Sequence, residues 1–379
     1  MEIQEDILYS IRKELHQYPE ISGEEYETQN RILRFLKQNA KCKLKKVAKT
    51  GLVAVFEGKE EGKTVLLRAD IDALPIQEIN TFEYKSKKVG VSHKCGHDGH
   101  TAIMLGVATT LTKNPILKGK VLLLFQPSEE NGKGASLVLQ DNFFINLSID
   151  YVFALHNLPG FKKHEIVLKN KVFTSNVKSI SIKLKGKTAH AAEPEKGYNP
   201  ASAIAVILLF AERESNNKPE AKDFFLMTPV YVTMGEKAYG ISAGYGEVHF
   251  TLRSWSTDLI EEKRKQLREL VIQLSNNYSL ESEVFWFEEF YANKNDDQAV
   301  SIIKKSAESL NLPINEILTP FKWGEDFGLF TQKYKGAMFG LGAGKNTPAL
   351  HNPDYDFPNE IIPTGVQLFD KIVKEVLHS

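Results

Sequence analysis

The sequence predicts an α/β domain interrupted by a smaller α+β domain. Three observations carry this. Apolar runs of strand length alternate with helical stripes, and the near-continuous run Lys120 to Gln126 suits a strand covered on both faces of a parallel sheet. From Val177 to Glu289 the element order becomes β-α-β-β-α-β, the split βαβ sandwich. After Asn293 the earlier alternation of helix and strand returns. Residues 1–176 and 291–379 therefore read as one discontinuous domain, with 177–290 inserted, a piece of about 115 residues and so of ordinary domain size.

Taken in order, Ile3, Ile7, Ile11 and Leu15 mark an amphipathic helix that ends at Tyr18-Pro19-Glu20. A second runs from about Glu24 to Asn39, with Ile32, Leu33 and Leu36 on its buried side. Lys41, Lys43, Lys45 and Lys46 read as a solvated strand edge. Gly51 to Glu57 and Thr64 to Arg68 read as strands, the latter stopping at Ala69-Asp70-Ile71-Asp72. A helix is expected from Thr101 to Lys113, and the strand Lys120 to Gln126 is broken by Pro127 ahead of Ser128-Glu129-Glu130. The strand Tyr151 to Leu155 should deliver His156-Asn157 at its end, and ligands bind at the carboxyl edge of such sheets. In the insert, strands are expected at Val177 to Lys185, Pro229 to Met234, Glu247 to Leu252 and Glu281 to Glu289, with helices at Pro200 to Glu214 and Leu259 to Leu274.

With 48 basic and 48 acidic residues, no global field draws the chain to nucleic acid or an anionic membrane. Two cysteines cannot build a disulfide framework, and no run approaches the roughly 18 apolar residues of a membrane span. The opening MEIQEDILYS carries no apolar leader, so the expected compartment is the cytoplasm.

The chemistry concentrates in Ser92-His93-Lys94-Cys95-Gly96-His97-Asp98-Gly99-His100. On an extended loop Cys95 and His97 point to one side, and a thiolate beside an imidazole suits a zinc-like divalent ion. A free core cysteine with solvated histidines is the plain alternative. Adding Glu130, His156 and His351 gives five candidate ligands, more than one tetrahedral ion needs, and a pair of ions about 4 Å apart uses them better. In Glu129-Glu130 adjacent side chains tend to point apart, so one carboxylate can bind metal while its neighbour faces a water, takes its proton and returns it to a leaving amine. Asp70 and Asp72 read as ligands, as orienters of a ligand histidine or as turn residues before Pro75, with the orienting role preferred for Asp72. Asp98 and His100 are open to similar roles, and Asp98 equally to capping the next helix. His190, among small residues just past a strand, is either a contact for a ligand or a surface histidine. Arg253 holds either a substrate carboxylate bidentately or an ordinary salt bridge.

RADIDALP, CGHDGHTA, LLFQPSEE, ALHN, GKTAHAA, GEDF and LHNPDYDF stand in that order across nearly the whole chain. As a set they resemble the aminoacylase/carboxypeptidase family of dinuclear metallopeptidases. The similarity is to the branch of hippurate hydrolases, auxin-conjugate amidohydrolases and N-acetyldiaminopimelate deacetylases. The resemblance implies a zinc-peptidase-like catalytic domain with an inserted ferredoxin-like lid. It implies two divalent ions (Zn, Mn, Ni or Co) on Cys95, His97, Glu130, His156 and His351, with Glu129 as general base. It further implies that His190 reaches from the lid to the tetrahedral intermediate and that Arg253 recognises the amino acid's carboxylate. The substrate would be a small N-acyl amino acid, and the protein a monomer or homodimer. A metallo-dipeptidase or carboxypeptidase would use the same site, and an inactive metal-binding homologue would keep the fold. Two positions depart from the family pattern: Gly240-Ile241-Ser242-Ala243-Gly244 replaces an Asn-Val-Ile-Pro-like turn, and Lys94 stands where a small residue is expected.

Overall fold

In the computed structural model, which describes residues 5–378, the chain divides into two compact units. The first comprises Met1–Phe173, Asn293–Leu318 and Glu325–Ser379, and the second Thr174–Ala292 and Thr319–Gly324. The short return segment Thr319–Gly324 goes with the second unit because its backbone pairs there: Thr174 bridges to Phe321, and the Ser175 hydroxyl donates to the Lys322 carbonyl at 2.7 Å. No periodicity in so short a stretch announces that.

The first unit is built on an eight-stranded sheet in the order Lys43–Val47, Gly51–Glu57, Lys118–Gln126, Glu60–Asp70, Tyr151–Pro159, Gly336–Gly344, Ile166–Leu168, Ile314–Glu316. The four strands from Lys118–Gln126 to Gly336–Gly344 run parallel, while Gly51–Glu57 and Ile166–Leu168 join them antiparallel. The sheet is therefore mixed. The lysine-rich strand Lys43–Val47 is its solvated edge, as its charge pattern predicts. The first helix is Glu5–Gln17, with Leu8, Ile11 and Leu15 buried; Ile3 lies outside the described residues. The second, Tyr26–Asn39, buries Ile32, Phe35 and Leu36.

The central helix begins at His97 rather than Thr101 and runs to Lys113. It is buried on nearly every side, from His97 and His100 through Met104 to Leu111, so its apolar residues show no single face. Its start follows from Gly96, whose φ of 97° lies in the left-handed region that favours glycine. A Cβ there would come 2.4 Å from the Asn157 Oδ1 atom. The expected extended Cys95–His97 loop is thus a sharp left-handed turn straight into a helix. Likewise His156 and Asn157 lie inside the strand Tyr151–Pro159, because pairing with Gly336–Gly344 carries the strand past Leu155.

The second unit has a four-stranded antiparallel sheet in the order Phe225–Met234, Tyr245–Ser254, Asn176–Lys185, Glu281–Phe290. The helices Ala201–Glu214 and Thr257–Asn277 pack through Ile204, Ile207, Ile260, Leu267 and Val271 into a core with Ile180, Ile182, Val248 and Phe250. Strict alternation along Tyr245–Ser254 puts Val248, Phe250 and Leu252 inward and His249, Thr251 and Arg253 on the other face. A two-residue ribbon pairs Ile241 with His190.

Candidate metal centre

Four parallel strands converge on one region of the first unit. Glu60–Asp70 leads into Asp70 and Asp72, Lys118–Gln126 into Glu129 and Glu130, Tyr151–Pro159 carries His156, and Gly336–Gly344 precedes His351. All deliver these residues toward their carboxyl ends, where an open α/β sheet leaves a crevice.

Cys95, His97 and His156 offer ligand atoms that all lie within 4.8 Å of one another, and so do Cys95, Glu130 and His351. Two donor groups sharing one thiol thus contain the five residues singled out in the sequence. The histidines are oriented from behind. His97 Nδ1 lies 2.9 Å from the Asp72 carbonyl and His156 Nδ1 lies 2.9 Å from the Asn157 carbonyl. A carbonyl only accepts, so both rings carry a proton on Nδ1 and turn Nε2 inward, where displacement of any proton on it would free a lone pair for a cation. His156 Nε2 is 3.4 Å from the Cys95 sulfur.

The inward atoms fit a cation. His97 Nε2 and Glu130 Oε1 are buried without a hydrogen-bond partner, a costly condition for polar atoms. Burial by itself depresses the His97 pKa, yet Asp70, Asp72 and Glu130 bring it up to about 10, a sign that this cluster of carboxylates favours positive charge at its centre. Burial, with Glu130 and Glu129 next, pushes the Cys95 thiol well up; a bound cation reverses that balance and favours the thiolate.

Glu129 is buried at the start of a tight turn, its carbonyl accepting the Gly132 N–H at 2.8 Å. Behind it stand Glu325 and Asp326, each with a carboxylate oxygen within the same 4.8 Å reach. Arg68, wholly buried, answers these acids: it meets Glu325 and Asp326 at 2.8 Å each and Asp70 at 2.6 Å, and donates Nε to Gln126 at 3.0 Å. Burial first, and then Glu325, Glu130 and Asp326, hold the Glu129 carboxyl well above its usual range, with Arg68 opposing.

Asp72 orients more than one group. Its carbonyl takes His97 Nδ1, and its carboxylate accepts the Glu130 N–H at 3.0 Å and the Ser22 hydroxyl at 2.7 Å. Both His100 nitrogens are engaged, one by Asp70 and the other by Asn157, each at 2.6 Å, so this ring braces its neighbours. Asp98 lies in the first turn of its helix rather than at the N-cap, which is Gly96, and its Oδ1 accepts the Gly99 N–H at 3.0 Å. It accepts from Arg12 Nε and from His16 Nδ1, both at 2.9 Å. Burial pushes Asp98 upward, but Arg12 and His16 hold its carboxyl well below the usual range.

Several supporting residues escaped the sequence reading. Arg12 and His16 look like the polar face of an amphipathic helix, yet both are fully buried. Their spacing of four residues beside the acid-bearing CGHD loop is the one available signal. Lys94 is also fully buried, its Nζ 2.6 Å from Glu78 and 2.7 Å from the Tyr355 carbonyl, while its own carbonyl accepts the His351 N–H at 2.7 Å. It ties the two ligand loops together, a role unavailable to the small residue expected there.

In the second unit His190 is exposed, and its Nδ1 accepts the Ala192 N–H at 3.1 Å, leaving Nε2 as a donor. Arg253 donates Nη1 to the Lys322 carbonyl at 2.7 Å; it forms no ion pair with a carboxylate among the described residues. Burial lowers its pKa.

A family model described as peptidase family M20/M25/M40 matches residues 66–375. N-acetyl-L-cysteine deacetylase of Bacillus subtilis is 33% identical over 375 residues, covering 98% of this chain and 88% of that protein. Hippurate hydrolase of Campylobacter jejuni is 29% identical, covering 97% of this chain and 96% of that protein. The crystal structure of a dinuclear metal-binding M20-family peptidase from Bacillus subtilis aligns with a TM-score of 0.84 at 28% identity, covering 99% of this chain and 98% of that one.

Proposed function

From the premise that the chain belongs to peptidase family M20/M25/M40, we propose that it cleaves the amide bond of N-acyl amino acids, releasing a carboxylic acid and a free amino acid. It is a metal-dependent amidohydrolase with a dinuclear centre. The observation that carries the assignment of the site is the pair of buried atoms without a hydrogen-bond partner, His97 Nε2 and Glu130 Oε1, beside the carboxylate of Glu129.

Cys95, His97, Glu130, His156 and His351 would hold the two divalent ions, Zn, Mn, Ni or Co. Such ions supply Lewis acidity, bringing a water's pKa to about 7 and polarising an amide carbonyl. Glu129 would serve as the base that takes a proton from the attacking water and, turned acid, returns it to the leaving nitrogen. Its burial keeps bulk water from competing for the proton, and Arg68 with Gln126 fixes the acids behind it.

His190 and Arg253 complete the reading. The Nε2–H of His190 is a donor, and by the family resemblance it would serve the carbonyl oxygen as negative charge develops there. Arg253, with no carboxylate of its own, would recognise the carboxylate of the amino acid product. Residues 177–290 would serve as the inserted lid, and the protein would act as a monomer or homodimer in the cytoplasm, where its two free thiols stay reduced. No helix among the described residues is long and apolar enough to cross a membrane.

The test couples metal content to release of amino acid from N-acetyl, N-benzoyl and fatty-acyl substrates, with dipeptides as comparison. Metal-dependent release from one acyl class is expected. Preference for dipeptides would turn the assignment to a peptidase, and bound metal with no turnover on any of them would sink it.

A further inference from the structure

We propose that Glu25 is a positioning residue for Glu129, fixing the turn that carries the base. Glu25 is the residue at the N-cap of the helix Tyr26–Asn39, where an acidic side chain ordinarily answers the free N–H groups and the helix dipole. Here it makes no capping bond. Its wholly buried carboxylate instead turns across the chain. Oε1 accepts the Ser128 N–H at 2.8 Å, the Ser128 hydroxyl at 3.3 Å and the Gly23 N–H at 2.8 Å, while Oε2 accepts the Thr50 hydroxyl at 2.6 Å.

Ser128 needs such a hold. It has a φ of 56°, a left-handed conformation that a serine adopts only when its surroundings impose it. Its carbonyl is taken by the Gly134 N–H at 2.9 Å. On the far side of Glu129, the Glu130 N–H is taken by Asp72, which the Ser22 hydroxyl holds in turn. The residues before and after Glu129 therefore each give an N–H to a buried carboxylate, and both carboxylates are secured by residues 22–25. The loop between the first two helices acts as a buckle on the Ser128–Glu130 turn.

This inference rests on Glu129 being the base, and the experiment separates the two. Glu25→Asp keeps the charge but, one methylene shorter, loses the reach to Ser128; Glu25→Gln keeps the reach and an accepting oxygen but loses the charge. Steady-state kinetics on the fastest N-acyl amino acid, bound Mn²⁺ and thermal melting are measured for both, with Glu129→Gln alongside. The expected result is a fall in kcat for Glu25→Asp of about 10- to 100-fold, the scale of a misplaced catalytic group. KM should stay within about twofold, with bound Mn²⁺ unchanged, and Glu25→Gln should stay close to the parent. Glu25→Asp at full kcat while Glu129→Gln is inactive overturns the role of Glu25 alone. Loss of bound Mn²⁺ in step with kcat overturns it too, by showing a general structural effect. Full turnover by Glu129→Gln removes the base assignment itself.

Discussion

The Asp72 carbonyl accepts the Nδ1 proton of His97 at 2.9 Å, and that bond fixes which nitrogen of the ring faces the metal centre. The Asp72 side chain meanwhile holds the Glu130 amide. One residue thus orients two of the proposed ligands. Asp72→Ala leaves the carbonyl on His97 in place but removes the carboxylate that holds the Glu130 amide, and should weaken binding of divalent ions about 10- to 100-fold, the usual effect of losing an outer partner of a ligand. Equilibrium dialysis against Mn²⁺ measures this, and unchanged affinity in a folded variant would remove the orienting role of the Asp72 carboxylate.

Glu129→Gln keeps the shape of the side chain and cannot take a proton. Turnover should fall by about 10²–10⁴-fold, the range expected for general acid–base catalysis, while both metal equivalents stay bound. Elemental analysis of the same preparation used for kinetics distinguishes a missing base from a missing ion.

Arg68 is a single buried cation facing Asp70, Glu325 and Asp326. Arg68→Met leaves those acids without their counter-charge, and breaking a buried network from one side costs about 3–5 kcal/mol. Urea unfolding should show a loss of that order. A variant as stable as the parent would mean the acids are neutralised without Arg68.

Glu78 predicts a pH effect. Burial alone raises its pKa, but His16 and Lys94 outweigh that and bring it from 4.5 down to about 2. A carboxylate depressed in the folded state contributes stability that is fully present above 4.5 and disappears as pH falls through about 2. Thermal melts of Glu78→Gln should therefore lie below the parent at pH 6, and the difference should shrink between pH 4.5 and 2. A difference that is constant with pH would show that the charge of Glu78 is not what matters.

The parts of the site that were legible in the sequence are those where chemistry and strand ends coincide. Cys95, Glu129, Glu130 and His351 stand in loops between apolar runs, with His97 opening the helix after one of them, and a parallel sheet gathers such loops at one edge. What was not legible depends on side chains reaching across the fold. Arg12 and His16 have the spacing of a solvated helix face, and the packing of that helix beside His97–Lys113, with Phe82, Tyr84 and Asp356 closing over it, buries them. Glu25 reads as one of several acids at a helix start; its bonds to Ser128 span 103 positions. Asn157 seemed to lie past its strand because apolar character stops at Leu155, whereas backbone pairing does not. Asp98 looked like a cap because its place in the sequence suits one, and the left-handed Gly96 moved the helix start past it.

The strand Gly336–Gly344 sits between Tyr151–Pro159 and Ile166–Leu168 in the sheet, although the ribosome makes it long after both. While the chain is being synthesised, the first unit has a gap in the middle of its sheet, and the whole of Thr174–Ala292 emerges before that gap can be filled. The second unit can complete its own sheet meanwhile, since all four of its strands lie within that span. His351 arrives later still. A nascent chain therefore presents Cys95, His97 and His156 to the cell's metal pool before the other shore of the site exists. It must also keep a half-made sheet from pairing with its neighbours until the strand Gly336–Gly344 has been made.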